Sequence, residues 1–378
     1  MYSQRDIEDA VEDGMLTADQ AAGLRSHVAA RRSMPTVDEE YFRFITGFND
    51  IFVTAACVLM LVGAAWLGNQ LHLGGLLPSP FAALLVAMAA LGLSEIFVLN
   101  RRMALPGIVL AFAFAFAIFF TTLLFLFPLG GQGNFTSFTP AGGLMVIAAV
   151  MGAGAAFVHW RRFQVPIAMS LAAGMAVLAA IAVIAMLFTP TPQELMAIAN
   201  EGDLADVQAR MDRFQTVLQV ALLVIGVAVF AWAMWWDGSD LRRETERSEV
   251  AFWLHWLAAA MIVHPLVSML GLSEPSFGGG AAIALVLLYA FFVLVALVTS
   301  RRAILIAALA YLLYAVKMLL GGGPMGSQMP AVLAVALVMV PLAIFWSSLR
   351  AGLLAMLPAG LQARLPAAER STIDDGVY

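Results

Sequence analysis

The sequence predicts an all-α membrane protein with about ten transmembrane helices arranged as five hairpins. Of its 378 residues, 62% are hydrophobic and only 12% are charged, whereas soluble domains carry about 25% charged residues. The apolar residues come in runs of about 18 or more, which is the length a helix needs to cross roughly 30 Å of hydrocarbon. Four Arg pairs follow apolar runs at intervals of about 60, 80 and 60 residues, each enough for at least two spanning helices. They are Arg101-Arg102, Arg161-Arg162, Arg242-Arg243 and Arg301-Arg302.

The predicted spans divide the chain into three parts. We place the ten spans at 50–69, 81–99, 104–127, 141–160, 164–188, 215–236, 251–270, 281–299, 303–320 and 330–349. They define a transmembrane domain at 46–350. A two-helix segment at 1–45 precedes this domain, and a polar tail at 351–378 follows it.

The distribution of basic residues predicts the orientation. Most of them flank the two termini and the connections that carry the Arg pairs, and the positive-inside rule places such segments in the cytoplasm. We therefore expect both termini in the cytoplasm, with the Arg pairs acting as topology anchors that could also contact anionic lipid headgroups. The Arg-rich, Lys-poor composition favours a bacterial protein. The expected location is the inner membrane, with membrane lipids as partners.

The N-terminal segment is predicted to form two short helices. Gly14 can adopt the left-handed conformation that ends the first helix. Thr17-Ala18-Asp19-Gln20 is a capping box that starts the second. Two helices of this size are too small for an independent core. Residues 1–32 are therefore expected to dock on the membrane domain, to associate with a second copy of the chain, or to bind a partner protein.

The second interval between Arg pairs is longer than the others because of an insertion at 189–214. Its Leu204, Val207, Met211 and Phe214 recur at helical spacing among charged residues, a pattern typical of amphipathic helices at a membrane surface. The sequence therefore predicts a helix pair on the outer surface, which either lies on the lipid or caps a central cavity.

A weak internal repeat is also present. The pattern R-R-x-x-x-P begins at residue 101 and again at residue 161. Duplication of a hairpin would explain it, because internal repeats are common in transporters. The alternative is that each turn independently favours Arg and each helix start tolerates Pro.

Motifs for catalysis or cofactor binding are missing from the sequence. It contains no H-E-x-x-H, no phosphate-binding G-x-x-x-x-G-K-[ST] and no G-x-S-x-G. Cys57 is the only cysteine, which excludes a cysteine-based metal site. We expect no cofactor, no metal and no nucleic-acid partner. Whether the protein is an enzyme stays open, with a non-enzymatic function favoured.

Ionisable side chains inside the spans are the better candidates for a functional site, because a charge there is costly and usually has a role. Lys317 lies near the outer end of the ninth span. Its stem could extend to the outer interface and leave the ammonium group in water. Alternatively, the ammonium group is buried and binds an anionic group, with Glu274 in the adjacent loop as its counter-charge.

Two more candidates lie in other spans. His264 precedes Pro265 in the seventh span, where it could donate a hydrogen bond to a freed carbonyl or a neighbouring helix, or could couple to protons. Glu95 lies two turns before Arg102 on the same helix face. An ion pair with an Arg of this or another hairpin is the default interpretation, and a proton-carrying carboxylate is the alternative.

The candidate polar intramembrane site therefore consists of Lys317, His264, Glu95 and Glu274. Two further histidines, His159 and His255, are expected at the membrane interface and are not assigned to this site. Charges inside the spans are sparse, which counts against a strongly ion-coupled pump but not against a carrier of apolar substrates.

The N-terminal residues Gly14-Met15-Leu16-Thr17, Gln20-Ala21 and Leu24, followed by hydrophobic hairpins, resemble a bacterial family of predicted multi-pass membrane proteins, domain of unknown function number twenty-one fifty-seven. The resemblance covers about 30 residues and a general pattern of spans. It implies the same architecture, and it brings no activity and no site residues with it.

Two classes of function remain open on the sequence alone. One is a transporter or permease-like protein for a small-molecule or lipid-like substrate, with a path that includes Lys317, His264 and Glu95. The other is a sensor or assembly protein that does not transport and uses the N-terminal helices to bind partners. A membrane-embedded enzyme is a third and less favoured class.

Overall fold

A computed structural model describes residues 7, 10–31, 48–71, 79–127, 138–188, 196–198, 200, 204–240, 246–270, 279–320 and 329–362, and in these ranges the chain forms helices and no strand. The helices are α1 (Ala18–Arg31), α2 (Phe48–Gln70), α3 (Pro80–Ser94), α4 (Ala104–Leu126), α5 (Phe138–Phe163), α6 (Pro166–Phe188) and α7 (Leu204–Gly238). They continue with α8 (Glu246–Met269), α9 (Gly279–Thr299), α10 (Ala303–Leu319), α11 (Met329–Ile344), α12 (Trp346–Ala355) and α13 (Ala359–Gln362). A π-helical turn, Glu95–Asn100, extends α3.

Within the described ranges, eight helices are long and apolar enough to cross a membrane, and these are α2 to α9. The pair α11 and α12 would make a ninth span if its two helices cross together, although they are bent by 68°. Helix α10 is apolar but has 17 residues, about 25 Å at 1.5 Å per residue. The predicted class of fold is therefore confirmed, and among the described residues eight helices, or nine with the bent pair counted as one span, have the length and composition to cross a membrane.

The bend between α11 and α12 changes the predicted last span. Phe345 lies at the break, and α12 then buries Trp346, Arg350 and Leu354, which are spaced one turn apart. The Arg350 Nε–H donates to the carbonyl of Leu297 in the last turn of α9 at 3.2 Å. A cation is favourable at that position, because the carbonyl end of a helix carries partial negative charge. Helix α12 therefore packs against the end of α9 instead of continuing α11.

The N-terminal segment shows the local signals that the sequence predicted. The Gly14 backbone has φ +72°, and its amide and that of Met15 donate to carbonyls at the end of the preceding helical turn. The Gln20 amide donates to Thr17 Oγ1 at 3.2 Å, and the Thr17 amide donates to Gln20 Oε1 at 2.9 Å. These reciprocal bonds confirm the capping box.

Part of the predicted insertion, residues 189–195, 199 and 201–203, lies outside the described residues. Residues 204–214 are the first three turns of α7, a continuous helix of 35 residues that is about 52 Å long. Gln219 bonds to Ser268 near the end of α8 at 2.7 Å, so the α7 residues before Gln219 extend beyond that end. These residues continue the helix of the predicted sixth span past the end of α8.

Three turns between helices share one backbone feature. Each contains a non-glycine residue in the left-handed region, namely Arg102 (φ 51°), Gln164 (φ 53°) and Ser300 (φ 54°). The next helix begins two or three residues later. Pro106 is the third residue of α4 whereas Pro166 is the first residue of α6. The two R-R-x-x-x-P motifs therefore do not occupy equivalent positions in their turns.

These turns and the connection between α7 and α8 lie at one end of the helix bundle, which we call the basic end. Three contacts show this arrangement: Arg162 with Glu95, Ser170 with the carbonyl of Trp253, and Arg301 with Asp237. Each contact joins residues of two different hairpins, and both residues lie close to the helix ends that these turns connect. The three described turns that carry Arg pairs therefore share one end of the bundle, as the positions of the pairs in the sequence predicted.

Helix α8 lies at the centre of the bundle. Its most apolar window is 61% buried, against 17% to 33% for the other spanning candidates, and it packs against α6, α7 and α10. Gly226 of α7 allows this close approach, because a Cβ there would lie 2.9 Å from the Cβ of Met261. Small residues at such contacts let helix backbones come together.

Candidate functional site

The four residues predicted as one polar site do not form one. Glu95 lies at the basic end, where both of its carboxylate oxygens accept hydrogen bonds from Arg162 at 3.0 and 3.1 Å. The Arg162 side chain is 58% exposed and the Glu95 side chain is 40% exposed. This geometry agrees with the ion-pair interpretation of Glu95 and does not favour a carboxylate that carries protons inside the membrane.

His264 and Lys317 lie toward the opposite end of the bundle. His264 is exposed, and its Nδ1 is 2.5 Å from the hydroxyl of Tyr311 in α10, so it bonds to a neighbouring helix, one of its two predicted roles. Lys317 is 6% exposed, which does not fit a side chain that extends to the interface. Neither residue lines the cavities described below. Glu274 lies outside the described residues.

The Arg pairs differ more from one another than their sequences suggest. Arg101 and Arg161 are exposed. Arg302 is also exposed and lies over the ring of Trp346, at 4.7 Å from its centroid. Arg301 is only 4% exposed, because an ion pair holds its side chain between helices. Arg242 and Arg243 lie outside the described residues.

That ion pair is the centre of a buried polar cluster, the Asp237 cluster, made of Asp237, Ser248, His255 and Arg301. The Arg301 guanidinium donates to both carboxylate oxygens of Asp237, with an Nε to Oδ2 distance of 3.0 Å. It also donates to the Ser248 carbonyl at 3.1 Å. His255 Nδ1–H donates to the Ala251 carbonyl at 2.7 Å and lies 4.0 Å from Asp237 Oδ2. The cluster ties α7, α8 and α10 together.

Sequence reasoning missed the Asp237 cluster. His255 is 2% exposed and Asp237 is 1% exposed, so both side chains are buried among the helices rather than on the surface of the bundle. The available signal was Asp237 itself, an acidic residue at the end of an apolar span and close to an Arg pair, because a buried carboxylate needs a charged partner. A cavity of about 10 Å³ beside His255, Thr299 and Arg301 is large enough for about one water molecule.

A second polar contact lies inside the first half of the bundle. His159 is fully buried, and its Nε2 lies 3.2 Å from Ser94 Oγ. Ser94 donates its hydroxyl hydrogen to the Ala90 carbonyl at 2.8 Å, so the Ser94 oxygen must accept from His159 Nε2–H. His159 is therefore buried between helices, four residues before the end of α5 at the basic end. With the Arg162–Glu95 pair beside it, this bond fastens α5 to the end of α3.

The one large cavity described here is apolar. It is a groove of about 310 Å³ between α4, α6 and α8, and its volume falls in the lower part of the range for small-molecule sites. We call it the lateral groove. It is lined by Phe112, Phe116, Ile167, Ser170, Leu171, Gly174, Met175, Leu178, Trp253, Trp256 and Leu257.

The lateral groove contains no charged side chain, and its polar side chains are those of Ser170 and the two tryptophans. The Ser170 hydroxyl donates to the Trp253 carbonyl at 3.0 Å, so this group is already satisfied within the protein. Phe112 and Phe116 are 38% and 40% exposed, which places the opening on the side of the bundle. Such a surface binds apolar groups and offers little to an ion.

The depth of the groove follows from helix geometry. Ile167 is the second residue of α6 and Leu178 lies 11 residues further, which spans about 17 Å. The groove therefore runs along the half of the bundle nearest the basic end. A Cβ added to Gly174 would meet only Leu257 Cδ1, at 3.8 Å, so the groove is open at its middle.

Among the described residues, no three His, Cys, Asp or Glu side chains lie together in a way that could hold a metal ion. The geometry thus offers an apolar groove and a separate buried ion pair.

No known protein family, no curated protein and no solved structure matches the chain.

Proposed function

We propose that the protein is a permease-like protein that moves a lipid-like amphiphile and holds its apolar chain in the lateral groove. The groove supports this proposal because it is large, apolar, and open toward the side of the bundle. A ligand that enters from the side comes from the membrane rather than from water.

The proposed topology has ten spans in five hairpins, with α10 and the α11–α12 pair as the last two. Both termini are then in the cytoplasm of a bacterial cell, and the basic end faces the cytoplasm of the inner membrane. The helices α4, α6 and α8 all begin at the basic end, so the lateral groove lies in the cytoplasmic leaflet.

A polar transport path has less support. Glu95 is paired with Arg162 at the basic end, whereas His264 is exposed and bonded to Tyr311 near the other end. A path for an ion needs polar groups that face a common cavity, and the groove has no charged lining. The apolar interpretation of the substrate is therefore favoured over an ion or a polar solute.

The substitution Gly174→Phe tests the proposal. Its ring would fill the open middle of the groove, where Leu257 is the only neighbour within 4 Å of a new Cβ. In vesicles with a trace of phospholipid labelled on its acyl chain, wild-type protein should carry the inner-leaflet label to the outer leaflet. Dithionite, which reduces only outer-leaflet label, should then remove nearly all fluorescence. Vesicles with Gly174→Phe should keep the inner-leaflet label protected.

Gly154→Phe is the matched control, because Gly154 is exposed on α5 with nothing within 4 Å of a new Cβ. It should transport as the wild type does, and so should His264→Ala, since His264 does not line the groove. Wild-type vesicles that protect the label as well as protein-free vesicles do would contradict the proposal and favour the scaffold class. Equal transport by Gly174→Phe would remove the groove from the path.

A further inference from the structure

We infer that the lateral groove selects an anionic phospholipid, with the headgroup at the exposed guanidinium groups of Arg101 and Arg161 and an acyl chain in the groove. This inference rests on the proposed function and specifies the class of substrate. The groove explains why a lipid chain binds. The charges at its end decide which headgroup follows the chain.

The groove ends beside the turn between α5 and α6, which carries Arg161. Ile167 lines the groove and lies in the first turn of α6, six residues after Arg161. On the α4 side the lining begins at Phe112, eight residues after Ala104 and about 12 Å along the helix. A chain in the groove therefore places its glycerol and headgroup near the turns that carry Arg101 and Arg161.

The charge at these turns is positive. Arg101, Arg102, Arg161 and Arg162 lie there, and Glu95 accepts two bonds from Arg162 alone. Arg101 and Arg161 are exposed, so their guanidinium groups reach the solvent that a headgroup would occupy. Planar guanidinium groups bind phosphate oxygens in pairs. The starts of α4 and α6 add partial positive charge on the same side.

The net charge is more positive on the α4 and α6 side of the groove. The first turn of α8 carries Glu246 and Glu249 against the single Arg247, so its formal charge is negative and it attracts a phosphate less than the Arg-bearing turns do. An anionic headgroup is therefore directed toward Arg101 and Arg161, and this asymmetry would orient the lipid. A zwitterionic headgroup carries a compensating ammonium group and gains less from the same charges.

The test uses the whole protein in vesicles with equal amounts of phosphatidylglycerol and phosphatidylcholine that carry the same acyl chains. Lipid that co-purifies with the protein is extracted and quantified. The wild type should retain phosphatidylglycerol over phosphatidylcholine by about fivefold or more, which corresponds to about 1 kcal/mol, the contribution of one Arg near an anionic surface. The double variant Arg101→Gln, Arg161→Gln should retain both lipids with a ratio near one.

Arg302→Gln is the matched control, because Arg302 is also an exposed Arg at the basic end. Arg302 directly precedes α10, and its guanidinium lies over the ring of Trp346 in α12 instead of beside the groove. The Arg302→Gln variant should retain phosphatidylglycerol over phosphatidylcholine as the wild type does. Gly174→Phe should lose both lipids. Equal retention of the two lipids by the wild type, with transport still dependent on Gly174, would overturn the headgroup inference and leave the proposed function standing. Loss of transport dependence on Gly174 would instead overturn the proposed function.

Discussion

At the scale of single residues, two Arg–carboxylate pairs of similar geometry have different surroundings. Arg162 and Glu95 have side chains that are 58% and 40% exposed, while those of Arg301 and Asp237 are 4% and 1% exposed. Exposed pairs contribute about 0 to 1 kcal/mol, because water screens the attraction. Removing one member of a buried pair leaves an uncompensated charge and costs about 3 to 5 kcal/mol. Burial therefore decides what each pair contributes.

This difference predicts unequal effects of two near-isosteric substitutions. Asp237→Asn should lower the free energy of unfolding by about 3 to 5 kcal/mol, and Glu95→Gln should lower it by less than about 1 kcal/mol. The measurement is the unfolding midpoint of each purified variant in the same detergent. Equal shifts in the two variants would contradict the burial of the Asp237 cluster.

At the scale of helices, the contact between α2 and α3 depends on Gly68. A Cβ at this position would lie 2.4 Å from the Cα of Ala82, and a backbone atom cannot move aside as a flexible side chain can. Gly63 lies on the same helix with nothing within 4 Å of a new Cβ. The two glycines therefore have different roles, although both are in α2.

We expect Gly68→Ala to destabilise the protein by about 1 to 3 kcal/mol, the usual cost of overpacking. Gly63→Ala should be neutral or should stabilise by up to about 1 kcal/mol, because Ala favours helix more than Gly does. Unfolding midpoints of both variants, measured side by side, check this. A Gly68→Ala protein as stable as Gly63→Ala would show that α2 and α3 are further apart than described.

The observed helix ends show how well hydropathy and turn residues predict the bounds of each span. The starts and ends of α2 to α6 and of α8 and α9 follow the predicted spans to within a few residues, because hydropathy and turn residues are local signals. The sequence did not predict the bend at Phe345 or the outward extension of α7. Both features depend on tertiary contacts. Helix α12 packs against the end of α9, and the first turns of α7 extend beyond the end of α8.

At the scale of the whole molecule, the side of the membrane that the basic end faces can be measured on one helix. Ala205 and Gly238 are exposed near the two ends of α7. Cys57 is buried and is the only cysteine, so Cys57→Ser provides a background for single-cysteine variants. If the basic end is cytoplasmic, an impermeant maleimide should label Ala205→Cys in intact spheroplasts and Gly238→Cys only after lysis. The reverse pattern would invert the proposed topology, and labelling of both from one side would exclude α7 as a span.

The candidate site could be predicted only in part. The sequence singled out Glu95 and suggested an Arg partner, because a carboxylate near Arg pairs has few other ways to be stabilised. It did not join Asp237 to Arg301, which are 64 residues apart. The lateral groove could not be predicted either, because its lining residues are ordinary apolar residues of three spans.

The sequence by itself determined that this chain is helical, how its apolar helices are divided, and that its Arg-bearing turns lie on one face. These properties depend on the length of apolar runs and on the residues that interrupt them. Only the tertiary structure decided that α8 is central, that Arg301 is buried against Asp237, and that α4, α6 and α8 leave an open groove. Helices that are apolar all round carry no pattern that tells a packed face from a lipid-facing one, so their contacts are set by the shapes of side chains that meet across the bundle.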